Sequence, residues 1–422
     1  MSEKWHNVCQ RVDTCALAGA AAVVAAIPKG KILVNGPLWC YFYALRYLEH
    51  SDYTLGKRMT VSQPDNKAIV FGAEDFINKA MDQLLQEEAP SVLLVESSCS
   101  LSLIGDDLQG IVGKFALPFP VIALDSGGFV GGFAEGYSKC CQGIIKALCT
   151  KEPKEPLTVN LLGLSKFYYK GAADIAELHR LLTLAGYRVQ AIPGGGSTVE
   201  DLSHMGRAAL NIVCNEELGL SVAQYLANAY DQPYVVATVP YGLQGTLEWL
   251  EAIHEALPAP RLELVKKEAQ ELQEYLQGAV NDLRSLWGAL WFEQVILAGP
   301  SSQMLSLGAA LRLEALDTAQ LFVVGQQQVK GSYAGFKKQV DGFHLQGQCD
   351  IVGLVESSSC LFMGSSSEAN LLDRAGKRVY FLPIGRPLDH RAAFTMRPYM
   401  GLQGYSNLLE DLWNCFLQVQ AP

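Results

Sequence analysis

Three cysteines, Cys15, Cys40 and Cys99, stand at positions where thiolates could bind a metal. Cys15 opens a run of small residues (CALAGAAAVVAA), Cys40 closes a turn (NGPLWC), and Cys99 follows an apolar run (SVLLVESSC). Thiolates at the ends of loops are suitable ligands for the iron of iron–sulfur clusters. A chain with eleven cysteines offers many such triples, however, and a free cysteine is also a common small buried residue. Spacing alone therefore leaves two interpretations open, metal ligation and packing.

Two other motifs are interpreted as structural. Residues 194–197 (GGGS) resemble a phosphate-binding loop but lack the lysine and the spacing of an ATP site. Asp106 and Asp107 precede a predicted helix, where carboxylates commonly cap the first turn. We therefore expect no ATP chemistry on this chain.

The composition limits the class of protein. The chain has 422 residues, nearly half of them hydrophobic, which suits two or three well-packed domains. Its net charge of −10, without a basic block, argues against nucleic-acid binding, because phosphate contacts need clustered Lys and Arg. The apolar stretch at residues 16–27 is too short to span a membrane, so no membrane association is expected. The odd number of cysteines and the lack of an export signal favour reduced thiols and a cytoplasmic location.

The hydrophobic pattern predicts an α/β fold. Short apolar runs alternate with segments of helical length, and apolar strands between helices are typical of parallel sheets covered on both faces. The predicted strands are residues 68–71, 91–95, 121–124, 159–162, 188–192, 211–213, 234–239, 294–298, 320–324, 351–355 and 378–382. We therefore expect three doubly wound lobes with mostly parallel sheets.

Two changes in composition place the boundaries of these lobes. Residues 151–156 (KEPKEP) form a charged linker with prolines, and residues 258–288 form a long charged stretch that is predicted to be helical. The predicted lobes are an N-terminal lobe at 1–155, a middle α/β lobe with the bridging helix at 156–288, and a C-terminal α/β lobe at 289–422. Ligands of such sheets bind outside the carboxyl ends of the strands, so polar residues that follow strands are the first candidates for chemistry.

The segments around the cysteines resemble a known family. CALAGA, NGPLWC, AIVFGAEDF, ESSCSLSLIGDDLQGI and DSGGFVGGFAEGY follow one another in the first lobe. GGGSTVEDL and ALNIV occur in the middle lobe, and GSSSEANLLDRAG and RPYMGLQGYSNLLEDL in the last. In this order the segments are similar to the alpha-type chains of nitrogenase component 1 and to the related cofactor-scaffold chain. The resemblance covers nearly the whole chain and implies the component 1 fold.

The resemblance implies a role for the three cysteines. Cys15, Cys40 and Cys99 fall on the family's cluster-ligand positions, so the N-terminal lobe is expected to bind an iron–sulfur cluster, either 4Fe-4S or P-cluster-like. In the family this cluster lies at a subunit interface, and a partner chain completes its ligation. We therefore expect a homodimer, or a heterodimer with another component 1-like chain. Asn35 replaces the family's histidine before Gly-Pro, which changes no ligand.

The positions that anchor the catalytic cofactor of true nitrogenase differ here. Asn215 stands where the family has its cofactor cysteine, and Cys214 is one residue earlier. Arg391 stands where the family has its cofactor histidine, and His390 is one residue earlier. Tyr137 replaces the family's proton-relay histidine. These departures argue against dinitrogen reduction.

Two interpretations of the expected cavity between the lobes follow. In one, loop shifts bring Cys214 and His390 into the cavity, where they bind a second metal cofactor. In the other, these side chains point away, because one residue reverses direction along an extended segment. Asn215, Arg391 and Tyr137 then line the cavity as candidate catalytic residues, and Arg391 favours an anionic organic substrate because a guanidinium binds carboxylates. We prefer the second interpretation.

The resemblance implies an oxidoreductase. The expected function is that of an iron–sulfur subunit of a nitrogenase-like two-component reductase. A separate ATP-dependent iron protein would deliver electrons, which pass through the cluster to a substrate between the lobes. Relatives reduce tetrapyrrole double bonds, organosulfur compounds or dinitrogen. The alternative is a scaffold for assembly of an iron–sulfur cofactor precursor, and a third hypothesis, a family member without its cluster, is disfavoured by the three intact cysteines.

Overall fold

The computed structural model describes residues 14–329, 333, 335–386 and 395–420, which form three sheets with helices packed around them. Every strand pair in these residues is parallel. The strands are β1 Lys31–Asn35, β2 Met59–Val61, β3 Leu93–Ser97, β4 Val121–Asp125, β5 Glu155–Leu162, β6 Arg188–Ala191, β7 Ala208–Val213, β8 Tyr234–Val236, β9 Trp291–Gly299, β10 Asp317–Gly325, β11 Gly342–Leu345, β12 Cys360–Gly364 and β13 Tyr380–Pro383. The predicted α/β fold with mostly parallel sheets is confirmed.

The helices alternate with these strands. They are α1 Ala16–Ala26, α2 Leu38–Leu48, α3 Ala68–Phe71, α4 Glu74–Leu85, α5 Cys99–Ile104, α6 Leu108–Gly113, α7 Phe133–Leu148, α8 Gly171–Ala185, α9 Val199–Ser203, α10 Glu216–Tyr230, α11 Gly242–Ala256, α12 Leu262–Trp287, α13 Ser301–Ala310, α14 Ile351–Leu354, α15 Ser366–Arg374 and α16 Gly401–Gln420. Helix α12 occupies the charged stretch for which the sequence predicts a helix. Within the described ranges, none of the helices is both long enough and apolar enough to cross a membrane.

Each predicted lobe contains one sheet. The strand order is β2-β1-β3-β4 in the first sheet, β6-β5-β7-β8 in the second and β11-β10-β9-β12-β13 in the third. The apolar cores, however, extend across the predicted boundaries: one core contains both Trp249 and Phe292, and another contains both Val23 and Leu218. The division into lobes at the predicted positions therefore stays a prediction.

Two of the predicted strands are wrong. Residues 68–71 form α3, and residues 351–354 form α14, while β12 supplies the strand of that region. In each case an aspartate before the segment accepts backbone N–H groups. Asp65 Oδ1 accepts two of them at 3.0 and 2.8 Å, and Asp350 Oδ1 accepts one at 2.9 Å. These acceptors satisfy the first turn of a helix, and a run of only four or five apolar residues does not outweigh them.

Helices α1 and α7 pack with their backbones unusually close. Every residue of α1 is buried. A Cβ atom at Gly19 would lie 1.9 Å from the carbonyl oxygen of Phe133, and one at Gly136 would lie 1.8 Å from the carbonyl oxygen of Ala16. The two glycines therefore permit an approach that no side chain allows. This contact places Cys15, which precedes α1, beside the start of α7.

Candidate metal centre

Three strands of the first sheet end side by side next to the predicted cluster ligands. Asn35 of β1 pairs with Ser97 of β3, and Ser97 pairs with Asp125 of β4, so the strands end in register at one edge. Cys40 follows β1, Cys99 follows β3, and a glycine-rich loop follows β4. The carboxyl edge of a parallel sheet is the usual place for ligands, and here it gathers segments that are distant in sequence.

Cys15 and Cys99 meet at Gly128 in that loop. The backbone N–H of Gly128 donates a hydrogen bond to Sγ of Cys99 at 2.9 Å. A Cβ atom at Gly128 would lie 3.2 Å from the same sulfur and 3.5 Å from Cβ of Cys15. Cys15 also forms an isolated antiparallel bridge with Gly132. The loop thus holds both cysteines, and a side chain at Gly128 would press on the sulfur.

Cys40 lies beside the same two cysteines. It is the third residue of α2, and its thiol is next to the hydroxyl of Ser98. Burial, followed by the charges of Cys15 and Cys99, raises the pKa of the Cys40 thiol to about 11. Neighbouring thiols that oppose each other's ionisation are suited to a cationic group, which would stabilise the thiolates.

The three cysteines do not form a site for a single metal ion. Among the described residues, no three His, Cys, Asp or Glu side chains come close enough to hold one metal ion. In an iron–sulfur cluster different thiolates bind different irons, so the sulfurs stand around the group and do not converge on one atom. Cys15 is exposed, and Cys40 and Cys99 are partly exposed, which leaves the thiols open to such a group. Ligation of a cluster by these residues stays a prediction.

A buried carboxyl lies near the thiols. Glu96 of β3 is fully buried and accepts a hydrogen bond from the hydroxyl of Ser126 at 2.7 Å. Burial raises the pKa of Glu96 to about 8, and its ionised form raises the pKa of Cys40. In the sequence this residue is visible as an acidic side chain at the end of an apolar strand. Burial of a carboxylate is unfavourable unless a hydrogen-bond partner or an opposite charge compensates for it.

The aspartate pair behaves as a structural motif. The carboxylate of Asp107 accepts the N–H of Gly110 at 2.9 Å and caps α6, as predicted. The carboxylate of Asp106 accepts the N–H of Ala73 at 3.0 Å and joins the start of α4 to the segment after α5. Both residues therefore position the loops next to Cys99.

Two residues predicted to line the cavity are buried and form hydrogen bonds with the backbone. The hydroxyl of Tyr137 is buried within hydrogen-bonding distance of the carbonyl oxygens of Leu164 (2.7 Å) and Pro193 (2.5 Å). Asn215 is fully buried, and its Oδ1 accepts the N–H of Leu218 at 3.2 Å as the N-cap of α10. Both side chains thus have clear structural roles.

Of the other residues predicted at the cofactor-anchor positions, one lies in the core and two lie outside the described ranges. Cys214 is fully buried in an apolar core next to the indole of Trp249, and burial raises its pKa to about 12. His390 and Arg391 lie outside the described residues. A second metal site at Cys214 and His390, and the lining of a cavity by Arg391, therefore stay predictions.

Large apolar side chains are exposed beside the three cysteines. Trp39 and Tyr43 on α2 are 67% and 65% exposed, and Leu103 on α5 and Phe129 next to Gly128 are each 73% exposed. We call the whole set the apolar rim; it comprises Leu38, Trp39, Phe42, Tyr43, Leu103 and Phe129. Exposed apolar patches of this kind mark interaction sites.

Comparison with known proteins identifies the family of this chain. The model of a family described as nitrogenase component 1 type oxidoreductase matches residues 15–417. The matched part begins at Cys15 and includes Cys40 and Cys99. The chain therefore belongs to this family, which confirms the resemblance carried by the cysteine motifs.

Several curated proteins are similar to the chain. A light-independent protochlorophyllide reductase subunit of a Synechococcus species is 28% identical over 214 residues, 47% of this chain and 41% of that protein, so this alignment spans less than half of either. The corresponding reductase subunit of Staurastrum punctulatum is 25% identical over 435 residues, 94% of this chain and 81% of that protein. The nitrogenase iron-molybdenum cofactor biosynthesis protein NifE of Clostridium pasteurianum is 27% identical over 282 residues, 66% of this chain and 60% of that protein.

Solved structures show the same fold. The structure described as nitrogenase Cp1 at pH 6.5 has a TM-score of 0.81 at 18% identity and covers 96% of this chain and 93% of its own. Nitrogenase Cp1 at pH 5 has a TM-score of 0.74 at 19% identity and covers 96% of this chain and 89% of its own. The predicted component 1 fold is thus confirmed.

Proposed function

We propose that this chain is the iron–sulfur subunit of a nitrogenase-like two-component reductase in the cytoplasm. Cys15, Cys40 and Cys99 bind a cluster, 4Fe-4S or P-cluster-like, and a separate ATP-dependent iron protein supplies electrons. The observation that carries the proposal is the meeting of Cys15 and Cys99 beside Gly128 at the carboxyl edge of the first sheet, with Cys40 close enough for both to affect its pKa. Membership of an oxidoreductase family supports it. The bound cluster would supply one-electron transfer to an organic substrate held between the lobes.

The residues around the thiols have roles that follow from their contacts. The N–H of Gly128 donates a hydrogen bond to Sγ of Cys99. Hydrogen bonds to ligand sulfurs are among the features that set the reduction potential of a cluster. The exposure of Cys15 leaves space for a further ligand from outside the chain.

The proposal includes a second component 1-like chain, either another copy or a related partner. Three cysteines leave a 4Fe-4S cluster one thiolate short of its usual four. The apolar rim next to the cysteines supports an interface at this edge. The relatives from Synechococcus and Staurastrum are by name subunits, which agrees with this expectation.

Anaerobic iron and sulfide analysis of cysteine variants tests the proposal. Cys15→Ser, Cys40→Ser and Cys99→Ser should each lose most of the bound iron and the cluster's paramagnetic resonance signal, because serine is a poor ligand for iron–sulfur clusters. Cys349→Ser is the matched control: this thiol is also partly exposed but lies next to α14, and its loss should leave the iron content unchanged. An unaltered chain that holds no iron after anaerobic reconstitution would contradict the proposal.

A scaffold for an iron–sulfur cofactor precursor is the second candidate, and the similarity to the NifE protein of Clostridium pasteurianum favours it. Two measurements distinguish the two functions: transfer of the metal group to another protein, and retention of iron during redox cycles. A scaffold releases its metal group to a metal-free acceptor protein, whereas a reductase subunit keeps its iron through repeated cycles of reduction and reoxidation.

A further inference from the structure

A branched crevice lies where segments of all three predicted lobes meet, and we call it the Tyr168 crevice. In the described residues it consists of three small cavities with shared walls. Tyr168 borders all three, and Phe133, Gln303 and Gln326 each border two. The largest has a volume of about 20 Å³ and reaches Arg386. The crevice is separate from the three cysteines described above.

The Tyr168 crevice lies at the carboxyl edge of the third sheet. Strand β9 ends at Gly299 and β13 ends at Pro383, and the residues at and just beyond these ends line the crevice. Aromatic side chains from other segments close it. The ring centroid of Phe133 is 5.4 Å from that of Tyr168 and 5.8 Å from that of Tyr47. Ligands of open parallel sheets bind outside this edge, so the position itself favours a binding site.

Arg386 places an incompletely paired guanidinium against this crevice. Its Nη2 donates to the hydroxyl of Ser51 at 2.6 Å, whereas its buried Nε and Nη1 have no hydrogen-bond partner in the described part of the chain. Burial lowers the pKa of Arg386, and the side chains that counter this effect are tyrosines, including Tyr47 and Tyr169. A buried guanidinium with unused donors is unfavourable unless an anion accepts from it.

We propose that Arg386 binds a carboxylate group of the ligand that occupies the Tyr168 crevice. The inference rests on the proposed function, in which the substrate lies between the lobes, and it assigns that substrate a carboxylate. The cavity beside Arg386 has a volume of only about 20 Å³, so a small end group of the ligand, such as a carboxylate, is what can reach the guanidinium there. The side-chain amides of Gln303 and Gln326 line the same walls and can donate to the same oxygens.

Arg386 differs from the arginine to which the sequence points. Arg391 is the sequence candidate because it replaces the family's cofactor histidine, whereas Arg386 has no motif around it. Only the structure points to Arg386: its buried Nε and Nη1 have no acceptor among the described residues, and the side chain lies at the edge of a sheet. The inference therefore concerns a residue that spacing and motifs do not reveal.

Acetate is the probe that tests this site, in saturation-transfer NMR with the full chain at constant ionic strength. We expect acetate to bind and neutral acetamide to bind at least roughly tenfold more weakly, because hydrogen bonds to a charged acceptor are the stronger ones. Arg386→Met should weaken acetate binding by a similar factor, and Arg386→Lys should retain part of it. Arg46→Met is the control, since Arg46 on α2 pairs with Glu49 just after that helix and does not line the crevice; it should leave acetate binding unchanged.

Three results would overturn the inference. They are equal acetate binding by Arg386→Met and the unaltered chain, equal binding of acetamide and acetate, and displacement of acetate by inorganic phosphate at equal or lower concentration. The acetamide comparison uses the unaltered chain, so it remains decisive even where a variant misfolds.

Iron analysis of the same samples distinguishes the failure of the proposed function from the failure of the carboxylate site. Acetate binding without iron contradicts the proposed function alone, and iron without acetate binding contradicts the carboxylate site alone.

Discussion

At the scale of the residue, Asp174 is a buried carboxyl whose proton should affect folding. Its Oδ1 accepts the backbone N–H groups of Tyr399 at 2.6 Å and Met400 at 3.0 Å. Burial raises the pKa of Asp174 from its ordinary 3.8 to about 7. Between these values the folded chain holds a proton that the unfolded chain has released. The contribution of Asp174 to the free energy of unfolding should therefore be largest below about pH 4 and should fall as the pH rises towards 7.

Asp174→Asn isolates this contribution, because the amide oxygen can still accept both N–H groups but does not titrate. We expect the variant to show a smaller loss of stability between pH 4 and 7 than the unaltered chain, as measured by urea unfolding. Glu96 and Glu368 are also buried with a raised pKa, so only the difference between the two proteins counts. Asp350→Asn, at the partly exposed start of α14, serves as the control. Identical pH profiles for Asp174→Asn and the unaltered chain would disprove the assignment.

The sequence reveals some of these residues and conceals others. Cys15, Cys40 and Cys99 are visible because their flanking segments repeat a family pattern. Arg386 and Asp174 are not, since their importance arises from burial and from partners that are distant in sequence. Hydrophobic pattern and motif matching report on neighbours along the chain, and neither reports which donor is left without an acceptor.

At the scale of the element, the contact between α1 and α7 should control the cysteine site. The Cβ atom of Gly136→Ala would lie 1.8 Å from the carbonyl oxygen of Ala16, and backbone cannot yield as a side chain does. We expect the helices to separate, at a loss of about 1–3 kcal/mol in the free energy of unfolding. The separation displaces Cys15 from Gly128, so the bound iron should fall as well. Urea unfolding and iron analysis measure the two effects.

Gly278→Ala is the matched control for this prediction. Gly278 lies in α12, and a Cβ atom there would meet nothing within 4 Å. The substitution should leave iron unchanged and add up to about 1 kcal/mol of stability, because alanine favours a helix over glycine. If Gly136→Ala keeps both its stability and its iron, the close helix contact does not position Cys15.

Elements are predictable where periodicity and length agree. The longer apolar runs, such as those of β3 and β9, are strands, and the charged stretch of α12 is a helix. The short runs of α3 and α14 are not predictable from hydrophobicity, because a preceding aspartate decides between strand and helix. Side-chain acceptors therefore outweigh hydrophobicity in runs of four or five residues.

At the scale of the whole molecule, the two candidate sites lie at the edges of different sheets. The three cysteines follow strands of the first sheet or pack beside them, and the Tyr168 crevice lies at the edge of the third. Residues of the predicted N-terminal lobe also line the crevice. Phe133 begins α7, and Tyr47 belongs to α2, the helix that carries Cys40. The elements that hold the predicted cluster ligands thus also form walls of the proposed substrate site.

The apolar rim leads to a prediction about assembly. Trp39, Phe42 and Tyr43 contact one another, with ring centroids 5.8–6.2 Å apart, yet remain exposed beside Cys40. Burial of such a patch in a partner interface is favourable, and a charge at its centre would have to lose its hydration. We expect Trp39→Asp to shift the protein towards monomers in anaerobic sedimentation velocity. It should also lower cluster retention, because the interface would no longer shield the group.

Trp287→Asp separates this effect from a general loss of an exposed tryptophan. Trp287 ends α12 and is 48% exposed, away from the cysteines, so its replacement should change neither the sedimentation profile nor the iron content. If both variants sediment as the unaltered chain does, the rim is not the interface. If the unaltered chain is itself a monomer with a stable, fully ligated cluster, a partner is unnecessary, and the fourth ligand must then come from this chain or from solvent.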